Sequence, residues 1–302
     1  MKKSIFFIVF YSVLNSAFSQ RILYVDDFIK ILGEENKEDK LLSLARDNNF
    51  KTLILYDLDK IDKKLFHLAD STKNNSLINF IKKAKTNYNI KEIGASGENG
   101  DFFINEIDVY NKSRKEDTEK FDLYNLEYEY WNSSESDLGG YYCENYLRKN
   151  GIPCTREGSY KYYLETLSIM NLLAKDSKHP IKVEAYIGNY QNNEIVNITN
   201  NVDRLLVSSY EKTIADTFKN VKKRLDIINN THNNIEVSII VSAETKYLGG
   251  YLKYNSLDNL EESFLKNLKQ EFKNLKISGF TYYNYSNLSK SLTFYNKRVY
   301  GK

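Results

Sequence analysis

The sequence contains few of the residues that interrupt a chain, cross-link it or bind metal ions. Among 302 residues there are two prolines, two cysteines and three histidines. With proline only at Pro153 and Pro180, no proline-rich linker divides the chain, so a single domain is expected. The histidines lie far apart, with no His-x-His or i,i+4 pair, so no metal site is predicted; they are His67, His179 and His232.

Several common functional motifs are also missing. No Gly-x-Gly-x-x-Gly follows the first predicted strand, and no Gly-Lys-Ser or Gly-Lys-Thr loop occurs, which argues against the commonest nucleotide-binding folds. No Gly-x-Ser-x-Gly is present to support an acyl-transfer triad. Lys and Arg number 43 against 40 Asp and Glu, a balance that gives no support for a nucleic-acid or anionic-membrane partner. No cofactor is predicted.

The N-terminal segment has the layout of a secretory signal peptide. Two lysines precede the apolar run Ile5–Val13, and the small residues Ala17 and Ser19 occupy the cleavage-site positions. We therefore predict a signal peptide over residues 1–19, cleavage near Ser19-Gln20, and one domain over residues 20–302. No later stretch approaches the 18 apolar residues typical of a membrane span, so the predicted product is secreted, or held at the cell surface, without a membrane span. Whether it stays in a periplasm is left open.

The two cysteines, Cys143 and Cys154, lie in one apparent loop. Cysteines of an exported protein usually pair, so we predict a disulfide that closes this loop. The pair lacks Cys-x-x-Cys spacing, which argues against a redox role.

Eight strand-like segments alternate with helix-like ones along the chain. Such alternation implies a parallel sheet, and eight strands in about 280 residues fit a single (β/α)8 barrel better than an open sheet. The predicted strands are 21–25, 52–56, 92–95, 123–130, 182–187, 204–209, 236–241 and 278–283. The predicted helices are 38–47, 76–86, 101–111, 161–174, 213–228 and 260–274. The longest stretch without a helical pattern is 131–160, after the fourth strand, and such barrels carry their active sites at this end of the strands.

The fourth predicted strand carries a row of polar side chains. Alternation along a strand places Asn125, Glu127 and Glu129 on one face and apolar or aromatic side chains on the other. Two carboxylates and an amide are unfavourable to bury unless a ligand or a hydrogen-bond network uses them. The row therefore indicates a functional site, while an ion-paired interior pair without activity remains the alternative.

The spacing Asp122-x-x-Asn125-x-Glu127-x-Glu129 resembles the DxxDxDxE signature of glycoside hydrolase family 18, the chitinases and endo-β-N-acetylglucosaminidases. Two of the four positions match, including the terminal Glu. The segment ending at Tyr210 is similar to the family's sixth strand, which ends in Met-x-Tyr-Asp, and Tyr283 stands where the family has a tryptophan.

The resemblance implies substrate-assisted, retaining hydrolysis of β-1,4-linked N-acetylglucosamine in chitin-type or N-glycan substrates. It makes Glu129 the acid/base, Glu127 the carboxylate that orients the substrate acetamido group, and Tyr210 a contact to that group. Asn125, Trp131 and Tyr283 are predicted to bind substrate. No metal or cofactor is implied.

Two departures from the signature support a second hypothesis. Glu127 is one methylene longer than the Asp of the family, and Asn125 replaces an acid. The barrel would then be a non-catalytic glycan-binding or protein-docking accessory, with another exported or cell-surface protein as its partner. A barrel unrelated to the family is the third possibility. Restoring the family residues with Asn125→Asp and Glu127→Asp distinguishes a degenerate site from a tuned one.

Overall fold

A computed structural model describes residues 20–231, 235–272 and 275–301 of the chain. Eight parallel strands form a closed barrel in sequence order, and the last strand pairs with the first. The strands are β1 Gln20–Val25, β2 Phe50–Leu55, β3 Glu92–Gly97, β4 Leu123–Leu126, β5 Lys182–Ile187, β6 Arg204–Ser209, β7 Glu236–Ser242 and β8 Ile277–Tyr283. The predicted single (β/α)8 barrel is therefore confirmed, whereas the predicted signal peptide over residues 1–19 lies outside the described residues.

The ends of the predicted strands are right to within about two residues, except in β4. The prediction ran to Tyr130, but this strand ends at Leu126. Glu127 still donates its backbone N–H to the carbonyl of Gly97, the last residue of β3, at 3.0 Å. Beyond that bond the chain leaves the sheet, although its side chains continue to alternate between buried and partly exposed.

Helices surround the barrel. They span Glu35–Asp47, Leu58–Lys64, Asn75–Asn87, Gly100–Phe102, Val109–Lys112, Ser133–Ser136, Arg156–Asp176, Asn192–Thr199, Ile214–Asn230, Leu248–Leu252, Leu257–Glu271 and Tyr285–Tyr300. π-Helical turns at Phe103–Asp108 and Cys143–Leu147 and 3₁₀ turns at Phe28–Lys30, Asp117–Glu119 and Arg148–Asn150 complete the connections. Several helices start at an N-cap side chain that accepts the N–H of the third residue beyond it, as at Thr155, Thr213, Ser256 and Asn284.

The helix predictions needed three corrections. The helix predicted over 101–111 is interrupted by the π-helical turn Phe103–Asp108. The helices Leu58–Lys64, Asn192–Thr199, Leu248–Leu252 and Tyr285–Tyr300 were missed. The stretch 131–160 is not free of helix: a short helix precedes the disulfide segment Cys143–Cys154, two helical turns lie within it, and the next helix begins just after it.

The core has two layers. A large cluster fills the space between strands and helices, and a smaller one fills the barrel interior, as expected for barrels of this size, whose interior is packed. The interior cluster comprises Ile22, Tyr24, Ile54, Tyr186, Leu206 and Ile240. Because these side chains fill the barrel interior, we look for a ligand site at the mouth, the end of the barrel where the strands end.

Two further features bear on the environment of the protein. Cys143 and Cys154 form the predicted disulfide. Over the ranges 20–231, 235–272 and 275–301, no helix has the length and apolar character needed to cross a membrane.

Candidate active site

The segment after β4 is held extended by side-chain anchors. The Tyr128 hydroxyl lies 2.8 Å from Ser159 Oγ, and Tyr130 donates to Glu194 at 3.1 Å. Arg156 clamps the same Glu194 carboxylate with two bonds of 2.6 and 2.8 Å. These bonds hold both tyrosines against the surrounding helices, so Glu129, which lies between them, faces the barrel mouth.

Glu127 lies at the mouth, partly exposed. Its Oε2 accepts a 3.2 Å hydrogen bond from the Tyr24 hydroxyl, and Tyr56 also hydrogen-bonds to it. Burial raises the pKa of Glu127 to about 8; the charges of Glu129 and Glu98 act in the same direction, while the bonds from Tyr56 and Tyr24 oppose the rise. At neutral pH this carboxyl therefore holds a proton.

Glu129 faces the same opening from two residues further along. Its backbone N–H donates to the Tyr142 hydroxyl at 3.1 Å, and its side chain hydrogen-bonds with Tyr186. Since Glu129 is partly exposed, it is open to a ligand in the mouth. The structure thus brings the two predicted catalytic carboxylates together.

Aromatic side chains form the rim. Tyr210 and Tyr283 stack with ring centroids 6.0 Å apart and planes 22° apart, and Tyr283 also meets Tyr24 edge-on at 5.7 Å. Burial, the first cause, and the charge of Glu127 raise the pKa of Tyr283 to about 12 and also raise that of Tyr210. Both phenols therefore stay neutral and keep a hydrogen to donate.

Trp131 completes the rim opposite the stacked tyrosines. Its indole packs edge-on against Tyr186 with centroids 5.3 Å apart. The indole also lies against Gly188, where an added Cβ would come within 2.8 Å of the ring. Trp131, Tyr210 and Tyr283, which the sequence placed in the site, all border the interior cluster at the mouth.

Asn125 lies below the mouth and is 0% exposed. Its Nδ2 donates to Glu184 at 3.0 Å and to the Tyr24 hydroxyl at 3.1 Å. Glu184 in turn pairs with Arg204, whose Nη2 lies 2.6 Å from Glu184 Oε2. Asn125 therefore contacts protein groups in this structure, and its predicted contact with substrate stays a prediction.

A cavity of about 510 Å³ opens beside Glu127, between the connections that follow β2 and β3. Glu98 lines it, together with Tyr146, which lies within the disulfide segment, and Tyr141, which lies just before it. The Tyr146 hydroxyl donates to Glu98 at 2.6 Å, and burial raises the pKa of Glu98. The cavity gives a ligand room to extend away from Glu127 on one side of the mouth.

Sequence reasoning missed Tyr24, Glu98, Tyr146 and the pair Glu184–Arg204. Tyr24 sits in an apolar strand and Glu98 in a polar turn, so neither stands out by composition. Alternation in β1 was the available signal, because it places Tyr24 on the interior face together with Ile22.

The described part of the chain contains no group of three or more His, Cys, Asp or Glu arranged to hold a metal ion. His67 lies 3.5 Å from Asp62, and His179 lies 2.9 Å from Asp122. His232 lies outside the described residues.

Comparisons with known proteins support the fold. No protein-family model matches the chain, and no curated protein matches its sequence. Among solved structures, a β-glycosidase has a TM-score of 0.53 and 8% identity over 84% of this chain and 77% of its own. A family 18 chitinase from Pseudoalteromonas aurantia has a TM-score of 0.50 and 11% identity, covering 91% of this chain and 100% of its own.

A chitinase from Ipomoea carnea gives a TM-score of 0.50 with 13% identity, covering 93% of this chain and 100% of its own. At such identities the likeness shows the barrel fold alone. Any activity must be argued from the residues at the mouth.

Proposed function

We propose that the protein is a glycoside hydrolase that cleaves β-1,4-linked N-acetylglucosamine with retention of configuration. The observation that carries this proposal is the pair Glu127 and Glu129, two partly exposed carboxyl groups at the mouth of a (β/α)8 barrel, one of them with a pKa of about 8. Glycoside hydrolysis needs a proton for the leaving oxygen and a second group near the reacting carbon. Glu127 holds a proton at neutral pH, and Glu129 lies beside it at the same opening.

In the proposed reaction Glu129 is the acid and Glu127 orients the substrate acetamido group. The N–H of that group donates to Glu127 and favours its ionised form, while Glu129 carries the proton for the leaving oxygen. Glu129 then protonates the glycosidic oxygen as the bond from C1 breaks, and the acetamido carbonyl oxygen bonds to C1 from the opposite side. Afterwards Glu129 takes a proton from water, whose oxygen bonds to C1 as the bond between C1 and the acetamido oxygen breaks; this second inversion restores the starting configuration and regenerates the acetamido group.

The aromatic rim suits a sugar substrate. A tyrosine or tryptophan ring offers an apolar face to the sugar ring and a polar group at its edge. Tyr210 and Tyr283 keep their hydroxyl hydrogens because their pKa values are raised. We assign Tyr210 to the acetamido group, and Tyr283 and Trp131 to the faces of the sugar rings.

We infer that the protein acts in an oxidising compartment. The disulfide Cys143–Cys154 joins the segment that forms one side of the cavity, and such bonds persist mainly outside the reducing cytosol. This inference agrees with the export predicted from residues 1–19.

The test is hydrolysis of chitooligosaccharides and of a high-mannose glycoprotein, with the anomeric form of the product followed by NMR. Glu129→Gln is expected to abolish cleavage. Glu144→Gln is the matched control, because Glu144 is an exposed glutamate on the disulfide segment. Saccharide binding without cleavage by the unaltered protein would overturn the hydrolase in favour of a glycan-binding module, and neither binding nor cleavage would favour a protein-docking role.

A further inference from the structure

A chain of hydrogen bonds runs from the centre of the barrel to Glu127. Arg204 Nε and Nη2 contact Glu184 Oε2 at 2.8 and 2.6 Å. Asn125 bridges Glu184 and Tyr24 at 3.0 and 3.1 Å, and Tyr24 reaches Glu127 at 3.2 Å. The first four members are at most 1% exposed.

The strand register explains why these side chains meet. Asn125 pairs with Glu184 across β4 and β5, and Glu184 pairs with Arg204 across β5 and β6. Three side chains on one layer of the barrel interior are therefore neighbours by backbone geometry.

The direction of donation along these hydrogen bonds is set by Arg204, at one end of the network. Arginine stays protonated at every accessible pH, so Arg204 only donates. Burial raises the pKa of Glu184, but the guanidinium of Arg204 opposes that rise and holds the carboxylate as its acceptor. Glu184 accepts from Arg204 at Oε2, and Asn125 turns its NH2 group toward the other oxygen, Oε1, at 3.0 Å.

The second hydrogen of that NH2 group points to the Tyr24 oxygen. Two acceptors remain for the Tyr24 hydrogen: Asn125 Oδ1 at 3.3 Å and Glu127 Oε2 at 3.2 Å. An ionised carboxylate accepts a stronger bond than an amide oxygen, so the hydroxyl turns to Glu127 when Glu127 loses its proton.

We propose that Arg204, Glu184 and Asn125 are positioning residues that act through Tyr24, committing its hydroxyl hydrogen to Glu127 and stabilising the ionised form of that carboxylate. In the proposed reaction this is the form that receives the substrate amide. We call Arg204, Glu184, Asn125 and Tyr24 the relay. Its role in catalysis rests on the proposed function, whereas its effect on the protonation of Glu127 can be measured without turnover.

Other groups also face Glu127. The carboxylates are Glu129 and Glu98, which favour its protonated form. The phenols come from strands and loops around the mouth and are Tyr24, Tyr56, Tyr142, Tyr163, Tyr186, Tyr210 and Tyr283. Burial raises the pKa of each phenol, so they stay neutral while Glu127 titrates.

The experiment measures the pKa of Glu127 directly, from the 13C shift of its carboxyl carbon, assigned with Glu127→Gln. Tyr24→Phe removes a bond to a charged group and is expected to raise this pKa by about one. Asn125→Leu, which removes the donor behind Tyr24, is expected to raise it as well. The decisive result is the double variant: if Asn125 acts through Tyr24, Asn125→Leu adds no shift once residue 24 is Phe.

Tyr56→Phe is the matched control, since Tyr56 hydrogen-bonds to Glu127 without belonging to the relay. Its shift and that of Asn125→Leu should add. An unchanged pKa in folded Asn125→Leu, or a shift that adds to that of Tyr24→Phe, would overturn the relay. If Asn125→Leu does not fold, Asn125→Ala replaces it, and an unchanged pKa in Tyr24→Phe alone also overturns the proposal.

The two proposals fail separately. If the pKa shifts from Tyr24→Phe and Asn125→Leu do not add, but the unaltered protein hydrolyses nothing, the relay stands and the proposed hydrolase activity is wrong. If the protein hydrolyses the substrate but the two shifts add, the hydrolase activity stands and the relay is wrong.

Discussion

Asn125 donates a 3.0 Å hydrogen bond to Glu184, a carboxylate that is itself fully buried beside Arg204. In the family 18 signature an aspartate stands at the position of Asn125. In this barrel an aspartate there would face Glu184 with like charge, so the amide suits the layer beneath it. The departure at Asn125 thus has a structural reason that is independent of any loss of activity.

Asn125→Asp should therefore destabilise the protein and lower its activity. A second carboxylate in hydrogen-bond contact with Glu184 must be either charged without a partner or protonated against its preference. We expect the free energy of unfolding to fall by about 2 kcal/mol, with lower turnover. Urea unfolding and the chitooligosaccharide assay check this; a large gain in turnover with unchanged stability would show a degenerate site instead.

The raised pKa of Glu127 predicts a pH dependence of stability. The native carboxyl holds its proton up to about pH 8, whereas in the unfolded chain the pKa is near 4.5. The native state thus binds the proton more tightly, so this contribution to stability is complete below about pH 4.5 and is lost as the pH rises toward 8. Within that window the free energy of unfolding should fall by at most about 1.4 kcal/mol per pH unit.

Urea unfolding at several pH values between 5 and 8.5, with Glu127→Gln alongside, isolates this contribution. The unaltered protein should lose stability relative to the variant as the pH rises. Parallel pH profiles for the two proteins would contradict the assignment.

Tyr130→Phe tests the anchors that hold the chain after β4. Losing the bond to Glu194 should lower the free energy of unfolding by about 1 kcal/mol. Turnover should fall as well, because the anchored Tyr130 positions its neighbour Glu129. Tyr110→Phe is a matched control: Tyr110 is also buried and its hydroxyl also donates one bond, to the carbonyl of Glu119 at 2.9 Å. Equal losses of turnover in both variants would argue against a positioning role for the anchor.

Gly188→Ala should disturb the rim without disturbing the barrel. The added methyl group would come within 2.8 Å of the Trp131 ring, so the indole must move. We expect saccharide affinity to fall several-fold, which costs about 1 kcal/mol of binding free energy, and thermal stability to change little. Calorimetric titration with chitooligosaccharides measures the affinity, and an unchanged value would remove Trp131 from the proposed binding surface.

Replacing both Cys143 and Cys154 with serine should lower stability by about 3 kcal/mol on the chain-entropy account of loop closure. Since Tyr146 lies between the two cysteines and lines the cavity, affinity for longer saccharides should fall as well. Thermal unfolding and binding of saccharides of increasing length check both effects. Equal losses of affinity for all lengths would place the cavity outside the binding surface.

The barrel and the position of the carboxylates could be predicted from sequence because both depend on local alternation. The apolar, β-branched strands and the i, i+2 row at Asn125, Glu127 and Glu129 carry that signal in themselves. The end of β4 could not be predicted, because the alternation continues to Tyr130 after the sheet hydrogen bonds have stopped. What holds that segment is Ser159, Glu194 and Arg156, which are distant in sequence.

The relay could not be predicted from the sequence either, because its members are distant from one another along the chain. Tyr24 and Asn125 are 101 residues apart, and Glu184 meets Arg204 only through the register of β5 and β6. Alternation along β5 places Glu184 on the same face as the interior Tyr186, but it does not show which residue of a neighbouring strand Glu184 pairs with.

Trp131 is the only tryptophan in the chain, and it lies at the rim against Tyr186. All tryptophan emission therefore originates beside the site, and none comes from the rest of the barrel. A ligand that stacks on the indole or displaces water from it would change the intensity or wavelength of that emission. The protein thus carries its own fluorescent reporter, with which ligands can be screened without a label and before any of them is known to be cleaved.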